Sequence, residues 1–383
     1  MALRKKKLIS KSDFIPVCEP LLGGKEKDYL LDCLETNWIS SQGKYIEEFS
    51  QKFAAFCGAK YGVLTTSGTT ALHLALAALG IGKGDEVIIP TFTMIATAFA
   101  VFHAGASLSL VDSEPETSNI DVSKIEEKIN KKTKAIIPVH IYGHPCDMDP
   151  IMKLAKKYKL WVIEDAAEAH GAKYKNRMTG GIGHIGCFSF YANKIITMGE
   201  GGAVVTNNKK IAQKLDLLHD LAHSSKKRFS HIAVGYNYRL TNLQAAVGLA
   251  QLEKVEKYIK SRIRNAHLYN DYLKQIKGLR LPVEKGWAKN VYWMYGILLD
   301  KDFPVSRDEL MEILEKRGIG TRAFFIPMHL QPVFIKMGLF KGEKYPVAEE
   351  WGEKGLYLPS GSGLTKEQIK YVCQEIKKIA KND

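Results

Sequence analysis

No Cys-x-x-Cys pair occurs in this chain, and its six cysteines (18, 33, 57, 146, 187 and 373) are scattered. A protein of 383 residues can bury a core without covalent staples, so a disulfide scaffold is excluded and reduced thiols in a cytoplasm are expected. Internal repeats and low-complexity tracts are missing as well. The 32 Gly and 13 Pro punctuate the sequence without taking it over, which rules out fibrous and wholly disordered chains. Acid is in short supply: 41 Asp and Glu against 55 Lys and Arg leave a net charge of +14. That surplus suits nucleic acid, a membrane surface or a small anionic ligand, and the total does not choose among them. The basic run 4–7 resembles the start of a signal peptide, but Lys11 and Asp13 follow before an apolar stretch can build, so a solvated N-terminal arm is expected.

Charge is absent altogether between Val87 and Val111. A membrane helix is still not expected, because Pro90, Thr91, Thr93, Thr97, His103 and Gly105 interrupt the run. It divides better into a buried strand at 87–89, a turn at Pro90, a helix over about 94–103 and a second strand at 108–111.

What is present is an alternation. Strands are expected at 61–64, 86–89, 107–111, 135–140, 161–164, 187–189 and 203–206, with helices at 70–79, 93–104, 122–128 and 150–157. This predicts an α/β domain on a mostly parallel sheet covered on both faces. Residues 242–276 keep helical periodicity with Gly248 their one Gly or Pro, so a long helix is expected to lead into a smaller domain. A strand region at 292–299 and helices at 306–316 and 365–380 predict an α+β lobe. The pairs Ser306–Glu309 and Thr365–Gln368 fit capping boxes. The expected organisation is an N-terminal arm over 1–35, a large domain over 36–250 and a smaller C-terminal domain over 251–383.

Three segments carry chemistry. In Thr65-Thr66-Ser67-Gly68-Thr69-Thr70 a strand enters a small-residue turn and leaves as an apolar helix. Free amides and hydroxyls at such a helix start make an anion cradle, although plain N-capping accounts for the same residues. The turn has neither P-loop nor Gly-x-Gly-x-x-Gly spacing. The second segment, 160–171, is an apolar strand ending in Glu164, Asp165 and Glu168. A carboxylate at the carboxyl end of a strand can hold a metal, take a proton or pair with a protonated ring nitrogen; compensation of a helix N-terminus is the alternative. In the third, Lys194 stands between a strand ending at Ser189 and the Gly-rich turn 199–202, among apolar or small neighbours. A desolvated lysine has a lowered pKa and can form a Schiff base, but an ordinary half-exposed lysine would look the same. Together the three supply what pyridoxal 5'-phosphate requires: a phosphate cradle, an aldehyde-capturing lysine, and an acid opposite the pyridine nitrogen.

With these residues in place the chain resembles the sugar-nucleotide aminotransferases of the DegT/DnrJ/StrS type, fold type I pyridoxal-phosphate enzymes, from Trp38-Ile39-Ser40-Ser41-Gln42-Gly43 to the C-terminal helix. The likeness is strongest to members that make GDP-perosamine. It rests on the segments 90–98, 138–149 and 235–246 and on the Lys194 segment. The resemblance implies that Lys194 holds the cofactor and moves the proton, that Asp165 pairs with the ring nitrogen, and that Glu168 approaches the ring hydroxyl. Ser67, Gly68, Thr69 and Ser189 would hold the phosphate, and Met94 would lie over the ring face. Asn237 would reach the phosphate of the partner subunit, in a homodimer with shared active sites. Arg239 would anchor the donor carboxylate, and His329 would stand on the substrate side or simply pack a turn.

The implied reaction moves an amino group from glutamate to C4 of a 4-keto-6-deoxy sugar nucleotide, converting GDP-4-keto-6-deoxymannose to GDP-perosamine. Another sugar nucleotide, or a C3 ketone, is the nearest rival. Dehydratase relatives carry His in place of the lysine, and Lys194 argues against that chemistry. A basic nucleic-acid-binding regulator would suit the charge but leaves Lys194 and Asp165 unexplained. Neither nucleic acid nor a membrane is an expected partner. No metal is expected either, since His140, His144, Cys146 and Asp147 match no zinc spacing. The aromatic group Trp287, Tyr292, Trp293 and Tyr295 is read as small-domain core. The basic segment 224–228 is an open candidate for the nucleotide diphosphate.

Overall fold

Short, mostly apolar runs fall where the chain crosses a buried layer, and each becomes a strand. A computed structural model describes residues 14–224, 226, 227 and 229–381. The basic run 4–7, together with Ser225 and Arg228, lies outside the described residues. A seven-stranded sheet is made by β1 (Tyr61–Thr65), β2 (Glu86–Pro90), β3 (Ser107–Val111), β4 (Thr133–Ile136) and β5 (Trp161–Asp165), then, past the hairpin β6 (Lys173–Tyr174) and β7 (Arg177–Met178), by β8 (Ile185–Ser189) and β9 (Gly202–Thr206). Its order is β1-β9-β8-β5-β4-β2-β3. Only β9 runs against its neighbours, so the other six strands share one direction. The reversal keeps the β8–β9 connection, and Lys194 with it, at the carboxyl edge of the parallel strands, where open α/β sheets bind ligands.

The N-terminal helices α1 (Glu26–Glu35) and α2 (Lys44–Phe56) precede this sheet, and α3 (Gly68–Ala78), α4 (Ile95–His103), α5 (Met148–Tyr158) and α6 (Lys209–His219) flank it. The sheet and its flanking helices exclude water from both faces of the charge-free stretch: Val87, Ile88 and Ile89 are fully buried. That stretch resolves into β2, α4 and β3, and no helix among the described residues is long and apolar enough to cross a membrane. Helix α3 is apolar nearly all round because it is packed on most sides, with Leu72, Leu74, Ala75 and Leu76 all buried.

A second, antiparallel sheet is built from β10 (Leu279–Arg280), β12 (Tyr295–Leu299), β13 (Arg322–Ala323) and β14 (Gly355–Leu358) in the order β10-β12-β14-β13, while β11 (Ala288–Lys289) joins the β6–β7 hairpin. Its helices are α7 (Asn242–Leu252) and α8 (Val255–Leu273), which lead into it, then α9 (Arg307–Lys316), α10 (Pro332–Lys336), α11 (Pro346–Lys354) and α12 (Lys366–Ala380). Ser306 and Thr365 cap α9 and α12 through reciprocal bonds with Glu309 and Gln368, as the spacing predicts.

Three expectations shift. The long helix over 242–276 is broken between Leu252 and Val255. Residues 21–26 pack into the break: Gln251 Nε2 donates to the Leu21 carbonyl at 3.0 Å, and the Lys254 amine reaches the Gly23 carbonyl. The helix expected at 122–128 is two single 3₁₀ turns, Val122–Lys124 and Glu126–Lys128, with buried Ile125 pinned between them. Strand β4 stops at Ile136, short of His140, since Pro138 has no N–H for a ladder.

Candidate active site

The phosphate cradle begins as an ordinary helix cap. Ser67 Oγ accepts from the Thr70 amide at 3.2 Å and Thr70 Oγ1 accepts from the Ser67 amide at 3.0 Å, which leaves the Gly68 and Thr69 amides at the start of α3 with no acceptor among the described residues. Ser189, at the end of β8, lies directly against this turn, and a Cβ on Gly68 would stand 2.8 Å from Ser189 Cβ. Gly202 closes the other side, where a Cβ would stand 2.2 Å from the Ser67 carbonyl oxygen. Both glycines are thus required by close approach. Free amides at a helix N-terminus beside two hydroxyls suit an anion.

Asp165 ends β5 and is buried. Thr97 Oγ1, on α4, donates to its Oδ2 at 2.8 Å, and the Ala167 amide donates to Oδ1 at 3.2 Å. No cation forms an ion pair with it among the described residues, and burial raises its pKa against the pull of those two donors. Such a carboxylate is poised to receive a positive partner. Lys194 follows β8, in a turn closed by its amide to the Tyr191 carbonyl at 2.9 Å. The side chain is half-buried, with Nζ 3.8 Å from the centroid of the buried Trp293 ring, and desolvation lowers its pKa while Glu168 and Asp165 pull it back up.

Glu168 is buried one turn beyond Asp165, and its Oε2 accepts the Tyr142 amide at 2.8 Å. Tyr142 adopts a left-handed backbone, φ 52°, which aims that amide. Burial pushes the Glu168 carboxyl up to about 7, from an ordinary 4.5. The unfolded chain releases this proton earlier, so the group's contribution to stability is present at low pH and is lost as pH rises from 4.5 through about 7. Urea denaturation of the cofactor-free protein at about pH 5 and about pH 8 should show that loss, and Glu168→Gln should flatten it. An unchanged slope in the variant would contradict the assignment.

The remaining expected residues sit less centrally. Met94 caps α4 with Sδ 3.0 Å from the Ala96 amide, and its side chain is exposed. Asn237 and Arg239 are tied to each other and to Asp220, Arg239 Nε to Asn237 Oδ1 at 3.0 Å and Arg239 Nη1 to Asp220 Oδ1 at 2.9 Å, without touching Lys194 of the same chain. His329 is buried with Nδ1 2.9 Å from Thr91 Oγ1 and Nε2 3.0 Å from Glu349 Oε1, so neither ring nitrogen is left for a substrate. The residues that suggested a metal all have structural work. His140 Nδ1 accepts the Cys146 amide at 3.0 Å, and Nε2 faces Glu164 Oε2 at 3.0 Å. His144 Nε2 accepts the Lys285 amide at 3.1 Å, and Asp147 accepts the Tyr174 hydroxyl at 2.6 Å. Glu164 in turn accepts the Gly180 and Ile182 amides, each at 2.7 Å, and anchors that loop.

Sequence reasoning missed Thr97, Tyr142 and Trp293. Nothing in the spacing marks Thr97 or the turn at Tyr142, and Trp293 reads as small-domain core. Tyr292 and Tyr295 do pack with that lobe's helices, but Trp293 joins the apolar cluster of the seven-stranded sheet and Trp287 packs beside Tyr174. Trp293 is buried, yet it faces Lys194.

A parallel sheet with one reversed strand, a desolvated lysine beside that strand, a buried unpaired acid and an anion cradle fit pyridoxal phosphate group for group, and they define a fold type I pyridoxal-phosphate enzyme. The chain belongs to the DegT/DnrJ/EryC1/StrS aminotransferase family, whose model matches residues 20–377. It is similar to the GDP-perosamine synthase of Caulobacter vibrioides, 44% identical over 367 residues, covering 95% of this chain and 98% of that one. The GDP-perosamine synthase of Escherichia coli O157:H7 is also 44% identical, over 363 residues, with the same coverage of both chains. Among solved structures, the aminotransferase from Psychrobacter cryohalolentis superposes with a TM-score of 0.90 at 34% identity, over 96% of this chain and 99% of that one.

Proposed function

We propose that the protein transfers the amino group of glutamate to C4 of a 4-keto-6-deoxy sugar nucleotide, forming GDP-perosamine from GDP-4-keto-6-deoxymannose. The observation that carries the chemistry is the placing of Lys194 and Asp165 at one sheet edge beside the cradle. The likeness to two GDP-perosamine synthases over nearly the whole chain supports the substrate. Bound pyridoxal phosphate would supply an aldehyde and an electron-withdrawing ring that stabilises the carbanion formed when a proton leaves carbon. The Gly68 and Thr69 amides and the Ser67 and Ser189 hydroxyls would hold its phosphate. Asp165 would keep the ring nitrogen protonated, with Thr97 and the Ala167 amide fixing the carboxylate. Lys194 Nζ would hold the aldehyde carbon and, once displaced by glutamate, take the proton from Cα. Its lowered pKa makes the free base available for that task. Incubation with glutamate and a panel of keto sugar nucleotides, with products read by mass, tests the substrate. Amination of a UDP- or dTDP-linked ketone in preference to the GDP-linked one would overturn it.

The reading extends to a cytoplasmic homodimer in which Asn237 of one subunit completes the other's phosphate site. The tie of Asn237 to Arg239, away from its own Lys194, supports this. Refolding Lys194→Ala together with a variant carrying a bulky residue at Asn237 should then restore about a quarter of the sites, because half of randomly formed dimers are mixed and one site in each is intact. No recovery, with mixed dimers shown to be present, would remove the shared site. The antiparallel sheet and its own apolar cluster around Tyr295, Ile297, Leu310 and Val372 support a smaller domain over 251–383 beside a larger one over 36–250.

A further inference from the structure

Lys194 raises a question that its two acidic neighbours do not answer. Neither Asp165 nor Glu168 forms an ion pair with it, although both lie near enough to favour its charge. The groups facing the amine are those two carboxylates, the guanidinium of Arg262, which disfavours the charge, and the Cys18 thiol. What the amine touches is the ring of Trp293, with Nζ 3.8 Å from its centroid. An ammonium at that distance from an indole face is attracted by the ring quadrupole, most strongly where water is excluded.

The ring is not free to drift. Trp293 Nε1 donates to the carbonyl of Asn193 at 2.9 Å, so the indole is bonded to the backbone immediately before Lys194. The backbone carbonyl of Trp293 accepts from Arg262, a buried arginine with no carboxylate partner among the described residues. Arg262 is held by Ser362 Oγ at 3.0 Å and by the Ser360 carbonyl at 2.9 Å. The indole is therefore fixed to the lysine's own turn, and the backbone that carries it is fixed through Arg262 to the 360–362 segment.

We propose that the face of Trp293 is the resting place of the protonated Lys194 amine, and that the indole sets how readily that amine gives up its proton. Trp293 is thus a positioning residue for Lys194. In the proposed transamination, on which this inference rests, it would hold the lysine whenever glutamate has displaced it and return it to the same point.

The test reads Lys194 alone. The full-length protein without added cofactor is acylated with a trace of acetic anhydride across a pH series, and the peptide carrying Lys194 is quantified by mass spectrometry. The midpoint of its reactivity is the amine's titration. The protein is produced with ordinary tryptophan and with tryptophan fluorinated on the ring, which keeps shape and N–H but weakens the negative face. Fluorination should lower the midpoint by up to about one pH unit, the tenfold that lies between the exposed and fully desolvated limits of a cation–π contact, as suits a half-buried amine. Trp293→Phe keeps an aromatic face, weaker than that of indole, and loses the second ring and the bond to Asn193. Its midpoint should fall below the wild-type value and should not respond to fluorination, although four of the five tryptophans remain. A wild-type midpoint indifferent to fluorination, or an equal response in Trp293→Phe, would overturn the proposal. The fluorinated wild type suffices if the variant does not fold. Cofactor uptake is scored separately by absorbance, so a protein that fails to take up pyridoxal phosphate would refute the enzymatic reading and leave the titration result standing.

Discussion

Lys194→Ala lowers amino transfer by more than about a thousandfold while the protein keeps its fold. The loss is local. Lys194 is half-buried, bonds to no side chain of the sheet, and leaves behind a methyl group facing Trp293. No buried acid loses an ion-pair partner, since none is paired with it among the described residues. Denaturation of the cofactor-free variant should match the wild type within about 1 kcal/mol. Retained turnover would remove Lys194 from the mechanism, whereas collapse of the fold would show that the lysine is structural.

Asp165→Asn separates holding the cofactor from activating it. The cradle at Ser67, Gly68, Thr69 and Ser189 is distant in sequence and owes nothing to the Asp165 charge, so cofactor uptake should persist. Thr97 Oγ1 can still donate to the amide oxygen. The amide cannot balance a protonated ring nitrogen, and the half-reaction with glutamate should slow on the order of a hundredfold or more. The variant removes a buried carboxylate that has no ion-pair partner among the described residues, but its Nδ2 cannot accept from the Ala167 amide, so the cofactor-free protein should change in stability by no more than about 1 kcal/mol. An unchanged half-reaction rate would mean that another group serves the ring nitrogen.

The parts of this molecule legible from sequence are those where local chemistry and tertiary demand agree. The run 107–111 becomes β3 with the expected bounds, and Ser306 and Thr365 cap helices because their partners three residues on are Glu and Gln. The juxtaposition of Gly68 with Ser189 was legible only through the family resemblance, since the residues are far apart in the chain and meet because β1 and β8 flank β9. What could not be read depends on distant segments. Nothing within 242–276 foretells the break after Leu252, where Gln251 and Lys254 on either side bond to the distant residues Leu21 and Gly23. Thr97 reads as one more small residue on an apolar helix until α4 is placed over β5. Trp293 reads as core because it is core, and its second role shows only when Lys194 is seen above its face.

Lys194, Asp165 and the cradle should together form a working transamination site. This is tested most directly by following the visible absorbance of the protein saturated with pyridoxal phosphate. The protein should be yellow, bleach on adding glutamate alone and regain its colour, mole for mole, when GDP-4-keto-6-deoxymannose follows. A protein that takes up no colour, or whose colour glutamate leaves unchanged, would contradict it.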